Sequence, residues 1–594
     1  MNFILSIKKK LLIKTNYNSS FLPYQRIALI AVFIFLSITA IIFRLTYITV
    51  WPSALNRKLK TQAHKQTEIE ILIAPPRGTI SDRRGRILAA SLIKPSLFII
   101  PKRIPKGFSE KKQISKALNI SLDKIKNISN KNNNFYWVHR FMEKEDIDKI
   151  KDISKWRDFI GWAEESKRYY PEGALASHLL GFVGNDGDGL AGIEYTQNMT
   201  LKVKAQKKKV IRDARGKITL INPGIALQPE PQPENVELTI DVVIQKIAES
   251  AIKIAVNKSR AIGGSVVVAH IPTGQILGLA NYPSFHPENG PREKSDILRF
   301  RAISDGLEVG SILKPIILSY ALQNKIIKKN ELLYCEKGKF KLPGGYIHDT
   351  QPKSWLNPLE ILKFSSNICM FKICKKMGRQ SLHDAYIQSG LVGPTGIEIK
   401  GEWQSKLSHY NNWKEIRFAN LSFGQGIAVS NLQVANAYVK LLSGEHIQKL
   451  TILKKNPSTS RIFKMDLESG GENETKQEVL DYIKKAMKSV INENGSGSLA
   501  RVEGLIVGGK TGTAQKYDAK TRGYTDRVSS FSGFAPYDNP SIVVSVIIDS
   551  PQVRPAYGGL IAAPVFSRVV EESMKYLLSS SELFVHLDTK NSSQ

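Results

Sequence analysis

Between Ile27 and Phe43 the chain reads I-A-L-I-A-V-F-I-F-L-S-I-T-A-I-I-F, without one charge. Such a run has no place on the surface of a water-soluble domain, and in a bilayer only a helix satisfies its own backbone hydrogen bonds. Arg44 interrupts it and Leu45–Val50 continue largely apolar, so with Arg26 and Arg44 snorkelling the stretch 27–50 can span a membrane. Tyr24 and Trp51 stand where interfacial aromatics are expected. Residues 1–26 form a basic tail carrying Lys8, Lys9, Lys10, Lys14 and Arg26. A cleaved signal peptide is the rival reading; the run is long for one and no clear A-x-A site follows, which favours an uncleaved anchor. No second run of adequate length appears, so everything after residue 51 is expected on one side of the membrane. The charges do not decide which side, because Arg57, Lys58, Lys60 and Lys65 nearly balance the basic tail.

With 594 residues the chain can build more than one full-sized core, and its 42% hydrophobic and 23% charged residues are those of a folded protein. The net charge of +32 fits either an anionic surface nearby or a lysine-rich background. No zinc knuckle, RNA-binding box or compact arginine run accompanies it, which speaks against nucleic acid as a partner. Cys335, Cys369 and Cys374 are too few and too scattered for a disulfide framework or a cysteine-based zinc site, and read as buried thiols. No metal site and no cofactor is expected.

Residues 52–74 begin polar and basic with helical spacing, which predicts a stalk rising from the membrane. Pro75–Ala89 reads as strand, Asp82-Arg83-Arg84-Gly85 turn, strand. Residues 102–160 are rich in Lys and Asn with helical stretches, and Asn130–Asn134 reads as a surface loop. Arg168–Glu194 places glycine turns around a short apolar run; His178 is expected to lie against structure, and Asp186-Gly187-Asp188 is too short for a twelve-residue calcium loop. The alternation of Pro229, Pro231 and Pro233 within Pro223–Glu234 predicts an extended connector and a domain boundary. The texture then changes. Val236–Ile240 reads as strand, Val242–Asn257 as an amphipathic helix, and Gly264–Ala269 with Gln275–Ala280 as a strand hairpin. A helical middle follows, then strands at Ser529–Ala535 and Ile542–Asp549 and a helix at Ala563–Leu578. The order implies an α/β layer with a separate helical portion. Asn456–Lys476 reads as a surface insertion, and the residues from Ser579 as a flexible tail.

Three polar boxes stand in this second half. Ser311-Ile312-Leu313-Lys314 is an S-x-x-K, a pattern with almost no specificity alone, since Ser6–Lys9 and Ser91–Lys94 fit it too. Its setting separates it: Pro315 is tolerated only in the first turn of a helix, so the helix starts close to Ser311, with Lys314 one turn on. A serine hydroxyl needs a base, and a lysine becomes one when burial and a second cation lower its pKa. Lys510 could supply that cation, and the helix N-terminus would favour an oxyanion. Ser365 and Asn367 share a face only where the surrounding helical stretch, Leu359–Met377, is broken; Ser365 could relay a proton and Asn367 hold an amide, against the plain reading of a helix cap. Lys510-Thr511-Gly512-Thr513 reads as an edge strand. Gly512 would admit a substrate backbone, Thr511 and Thr513 would offer hydroxyls to a carboxylate, and the Thr513 and Ser311 N–H groups could form an oxyanion hole. The ordered set S-x-x-K, S-x-N, K-T-G is that of serine acyl-transfer enzymes that react with penicillin.

These boxes, with R-G-T-I-S-D-R-R-G from Arg77, the Arg168–Glu194 segment, F-G-Q-G-I-A-V-S-N-L-Q from Phe423 and the single anchor, resemble the class B penicillin-binding proteins, leaning toward their division-specific members. The resemblance runs from the anchor to about Tyr576. It implies a serine β-lactamase-like α/β transpeptidase domain with an antiparallel sheet and a helical subdomain, behind a β-rich pedestal. The expected organisation is 1–26 cytoplasmic tail, 27–50 transmembrane helix, 51–234 non-catalytic pedestal, 235–578 transpeptidase domain and 579–594 tail. The implied activity is the cross-linking of peptidoglycan stem peptides of septal cell wall through an acyl-enzyme on Ser311, blocked covalently by β-lactams. Catalysis would fall to Ser311, Lys314, Ser365 and Lys510, and substrate binding to Asn367, Thr511, Gly512 and Thr513. The resemblance further implies lipid-linked glycan strands and divisome proteins as partners, with a glycosyltransferase such as FtsW polymerising the glycan. It places the N-terminus in the cytoplasm and the bulk in the periplasm, at the inner membrane. Val309 stands where the family commonly has proline before the glycine and serine, and Phe300 where it commonly has asparagine before Arg301. The elongation-specific relative commonly carries S-S-D in the second box, so Ser365-Ser366-Asn367 leans toward division. A β-lactamase would need a glutamate-activated water, and no E-x-x-N lies between Ser365 and Lys510; a membrane β-lactam sensor would need an effector or further spans.

Overall fold

The computed structural model describes residues 21–49, 58, 61, 68–73, 75–131, 133, 135–150, 152–204, 206–212, 218–221, 232–292, 296–444, 449–454, 473–492, 494–518 and 523–579. The chain divides into two compact units, Met1–Ala74 with Lys204–Pro231, and Pro75–Val203 with Gln232–Gln594.

In the first unit a helix runs Phe21–Thr49, and Tyr24–Ile48 within it is long and apolar enough to cross a bilayer, with none of it buried against protein. Its polar side chains are satisfied on the helix itself: Thr39 Oγ1 donates to Phe35 O at 2.8 Å and Thr46 Oγ1 to Ile42 O at 2.9 Å. Glu68–Ile73 is a strand, antiparallel to Gln206–Arg212, which pairs in turn with Ile218–Ile221. A helical stalk over 52–74 is therefore wrong at its upper end, where E-I-E-I-L-I alternates with period two and belongs to a sheet. The proline-rich connector falls outside the described residues up to Pro231.

In the second unit, strand β1 (Ile80–Ser81) and strand β2 (Ile87–Ile99) form the hairpin expected from the sequence, and β3 (Ile160–Tyr169) pairs antiparallel along β2. The turn is held by Asp82, whose carboxylate accepts from Arg84 N at 2.9 Å and Arg86 N at 2.8 Å. It does more than reverse the chain. Asp82 also accepts from Val242 N at 3.2 Å, Arg83 N donates to Ile240 O at 3.0 Å, and Arg84 Nε reaches Asp241 at 3.1 Å. The hairpin thus docks on the start of helix α1 (Val242–Ser259), whose own N-cap is Asp241. His178, as expected, is buried, bonded to Ile297 O at 2.8 Å and set edge-on to Phe285.

A five-stranded antiparallel sheet centres the rest. Strands β4 (Gly263–His270), β5 (Ile276–Tyr282), β6 (Gly508–Asp518), β7 (Gly523–Ala535) and β8 (Ile542–Asp549) lie in the order β5-β4-β8-β7-β6. On β4, Val266 and Val268 face one core with Ile252 and Val256 of α1 and Phe566 of helix α7 (Ala563–Ser579), while Val267 and Ala269 face the other. Helices cover both faces, so the strand reads as one apolar run rather than an alternating one. The second core continues into helices α2 (Lys314–Gln323), α3 (Pro358–Phe364), α4 (Asn367–Gln388), α5 (Asn431–Leu442) and α6 (Asn473–Ile491). It also takes in Ile80, Leu88, Leu179 and Ile193, so hairpin and sheet share buried apolar surface. Of the stretch read as an insertion, Asn473–Lys476 opens α6, and 456–472 lie outside the described residues.

Candidate active site

The S-x-x-K box folds as a 3-10 turn, Gly310–Leu313, running straight into α2, with Pro315 in its first turn. Ser311 therefore precedes the α-helix proper by one tight turn. Gly310 has φ +64° and lies against Gly424, where a Cβ would fall 2.1 Å from the Gly310 carbonyl oxygen, so two glycines are needed for the approach. Val309, in place of the family's proline, has its carbonyl bonded by the buried Ser530 hydroxyl at 3.0 Å. Lys314 is fully buried.

The helical stretch breaks at the second box, as its spacing requires. α3 begins with a capping box between Asn357 and Glu360 and ends at Ser365, which is left-handed at φ +60°. Ser366 then caps α4, accepting from Cys369 N at 3.1 Å. Asp349 clamps the new N-terminus: its carboxylate accepts from Ser366 Oγ and Asn367 N, both at 2.5 Å, and from Ile368 N at 3.1 Å. Asn367 Nδ2 donates to His348 O at 3.0 Å, which turns Oδ1 toward Lys314 Nζ at 2.7 Å. Cys335 and Cys369 are joined as a disulfide, with Cα atoms 5.1 Å apart, which corrects the reading of three thiols; Cys374 alone is free and buried. Their separation of 34 residues carries no local signal, and the tertiary fold makes the pair.

Lys510, Thr511, Gly512 and Thr513 lie on β6, the sheet edge, as expected. Lys510 Nζ donates to Ser365 Oγ at 2.9 Å. Lys314 Nζ approaches the same hydroxyl at 3.5 Å while donating to Ser365 O at 2.7 Å and Ser366 O at 3.1 Å. Gly512 is required for a reason other than substrate approach: a Cβ there would meet Val309 O and Ser530 Oγ at 2.3 Å, so the missing side chain lets β6 close on the Ser311 turn. Thr511 Oγ1 lies 3.0 Å from Ser496 Oγ, and Thr513 Oγ1 accepts from Gly558 N at 3.0 Å, which leaves the Thr513 proton for another acceptor.

Burial pushes the Lys314 amine down to about 7, against the pull of Asp349. Lys510 is held well below the usual lysine range by burial first and by Lys314 second. The two buried amines thus face one neutral hydroxyl with no carboxylate between them. Lys314, Ser365, Asn367 and Lys510 come to one place, and Gly512 lies against the turn that carries Ser311. Asp349 and Ser496 were not read from the sequence, and Ser366 only as the middle of its box; Asp349 and Ser496 are common polar residues in polar stretches, and only the fold brings them to the boxes.

Comparison with known proteins gives the family. Residues 264–571 match the penicillin binding protein transpeptidase domain, and residues 72–222 the penicillin-binding protein dimerisation domain. The chain is 31% identical to the probable peptidoglycan D,D-transpeptidase PenA of Neisseria gonorrhoeae, over 88% of this chain and 86% of that one. It is 30% identical to the peptidoglycan D,D-transpeptidase FtsI of Escherichia coli K12, over 84% and 83%. The solved structure of penicillin binding protein 3 from Mycobacterium tuberculosis, complexed with aztreonam, superposes with a TM-score of 0.63 at 22% identity, covering 85% of this chain and 97% of that one, a likeness of fold. An α/β transpeptidase domain with an antiparallel sheet, a dimerisation domain before it and an apolar N-terminal helix together define a penicillin-binding serine transpeptidase. The chain belongs to the class B penicillin-binding proteins: it is a peptidoglycan D,D-transpeptidase, acting on peptidoglycan peptides and taking β-lactams at its transpeptidase domain.

Proposed function

We propose that this chain cross-links stem peptides of septal peptidoglycan during division, with Ser311 as the nucleophile. The observation that carries the assignment of roles is the Ser365 hydroxyl lying between the buried amines of Lys510 and Lys314, at 2.9 and 3.5 Å. As a neutral amine Lys314 has two N–H donors for the three oxygens around it, Ser365 O, Ser366 O and Asn367 Oδ1, so one of these contacts gives way as its lone pair takes the Ser311 proton and Oγ attacks the penultimate D-Ala carbonyl. The Ser311 and Thr513 N–H groups hold the oxyanion. Ser365, hydrogen-bonded by Lys510, delivers a proton to the departing D-Ala amine and is reprotonated by Lys314, which returns to the neutral amine and leaves an ester on Ser311. The amine of a neighbouring stem attacks that ester, a new peptide bond forms, and Ser311 recovers its proton. Asn367 holds a backbone amide of the donor peptide; the Thr513 hydroxyl, with Thr511 and the charge of Lys510, binds its terminal carboxylate, and Gly512 keeps this wall against the nucleophile's turn.

Residues 51–234 serve as the pedestal and 235–578 as the transpeptidase domain, with the 27–50 helix as an inner-membrane anchor, 1–26 cytoplasmic, 579–594 a free tail and the catalytic domain periplasmic. Lipid-linked glycan strands and divisome proteins, a glycosyltransferase such as FtsW among them, are the partners. The S-S-N box favours division over elongation. Incubating the detergent-solubilised full chain with a labelled penicillin and mapping the adduct by mass spectrometry tests the nucleophile: a stable adduct on Ser311 is expected, and one on any other residue overturns the assignment. Depletion in the native host tests the septal role. Filaments are expected; rounded cells would make it an elongation enzyme.

A further inference from the structure

The turn that carries Ser311 has a gap in its own hydrogen bonding. Lys314 N donates to Ser311 O, but Pro315 has no N–H, so Ile312 O lacks its donor three residues on and Ser311 O the one four residues on. A carbonyl at this buried helix start needs a partner from elsewhere. Tyr438, fully buried on α5, supplies it: its hydroxyl donates to Ile312 O at 2.6 Å across 126 residues of chain. Burial holds that hydroxyl well above the usual phenol range, so it remains a donor at every working pH.

α5 is itself fixed. Ser430 and Gln433 form a capping box at its start. Asn431 Nδ2 donates to Ser265 O at 3.1 Å and to Ser545 O at 3.2 Å, pinning the helix to β4 and β8. Neighbouring groups of the turn are tied from other sides, Gly310 N to Gly424 O at 3.2 Å and Val309 O to Ser530 Oγ at 3.0 Å. Tyr438 reaches past the nucleophile, to Ile312, one of the two residues between Ser311 and the base.

We propose that Tyr438 is a positioning residue for acylation: its hydroxyl replaces the helix hydrogen bond that Pro315 cannot give, and so fixes the direction in which Ser311 faces Lys314. This rests on the reading of Ser311 as nucleophile. In the full-length solubilised protein, Tyr438→Phe removes one oxygen and leaves the ring packed. The acylation rate constant at saturating labelled penicillin is expected to fall about tenfold, with the dissociation constant of the preceding non-covalent complex unchanged. Pro315→Ala added to Tyr438→Phe returns a backbone N–H to the same turn, and recovery of most of the lost rate is expected. An acylation rate within about twofold of wild type in Tyr438→Phe, or an equal loss in the double variant, would overturn the proposal and leave Tyr438 as core packing. If Tyr438→Phe gives no melting transition, the double variant against Pro315→Ala alone reads the same contact: an acylation rate within about twofold of Pro315→Ala is expected, and a loss of about tenfold or more counts against the proposal. Ser311→Ala is the separate control; an adduct that survives there sinks the nucleophile assignment itself, whatever Tyr438 does.

Discussion

Two buried clusters in this molecule each gather two cations, and they are built oppositely. In the first, Arg77 and Arg168 grip the two oxygens of Glu194 at 2.5 and 2.6 Å, with Arg77 also donating to Asn198 Oδ1 at 2.7 Å and Arg168 to Gly78 O at 2.7 Å. In the second, Lys314 and Lys510 flank the neutral hydroxyl of Ser365. A carboxylate at the centre cancels charge and fixes geometry. A hydroxyl at the centre cancels nothing, so the burial cost falls on the lysine protons. Arginine cannot give its proton up and lysine can. The first cluster ties the β1 segment to the segment around Glu194; in the second, burial pushes Lys314 down to about 7, as the proposed base requires.

The largest test removes that distinction. Lys314→Arg keeps a buried cation but no base, and penicillin labelling is expected to fall at least about a thousandfold in a folded protein. Labelling near wild type in that variant would mean that deprotonation of this side chain is not required. Glu194→Gln makes the first cluster resemble the second, with two guanidinium groups and no counter-charge. Unfolding in denaturant should show a loss of about 3–5 kcal/mol, with labelling unchanged in the fraction that remains folded. A loss of labelling without a loss of stability would show that this cluster reports to the site.

A pH series sharpens the same contrast. Lys314 is depressed to about 7, so its neutral form gains as pH rises through 7, and the acylation rate is expected to drop about tenfold per unit below it. A flat profile between pH 5 and 8 would assign the base elsewhere. Glu249 gives the smallest effect. It is a half-buried residue with no ion pair among the described residues, its carboxylate accepting from Ala176 N and Gln245 Nε2 at 2.7 Å, and desolvation raises it to about 7. Its folded pKa lies above the unfolded one, so the stability it lends is present below about 4.5 and is lost as pH rises through 7. The stability of Glu249→Gln relative to wild type should therefore rise by roughly 2–3 kcal/mol between pH 5 and pH 8, read from denaturant midpoints. An equal difference at both pH values would dismiss the titration.

Much of the catalytic architecture is legible because it is written locally. Pro315 marks the helix start, the two-residue spacing of Ser365 and Asn367 demands the break that Ser365 makes at φ +60°, and the apolar runs 542–549 and 263–270 become sheet strands. The upper end of the stalk misleads because its basic neighbours outweigh a short alternating segment. The Cys335–Cys369 bond escapes the sequence because cysteine spacing alone does not encode pairing. Gly512 is singled out for substrate approach, and the sequence does not show that Val309, far earlier in the chain, also needs its missing Cβ.

The sequence by itself determined the apolar helix, the order of the main strands and helices of the transpeptidase domain, and which side chains are the candidates for the chemistry, because periodicity, proline and glycine act within a few residues of themselves. Only the tertiary structure decided that Lys314 and Lys510 share one hydroxyl, that Asp349 clamps the second box and that Tyr438 completes the nucleophile's turn. Burial and proximity set those properties, and both belong to residues brought together from distant parts of the chain.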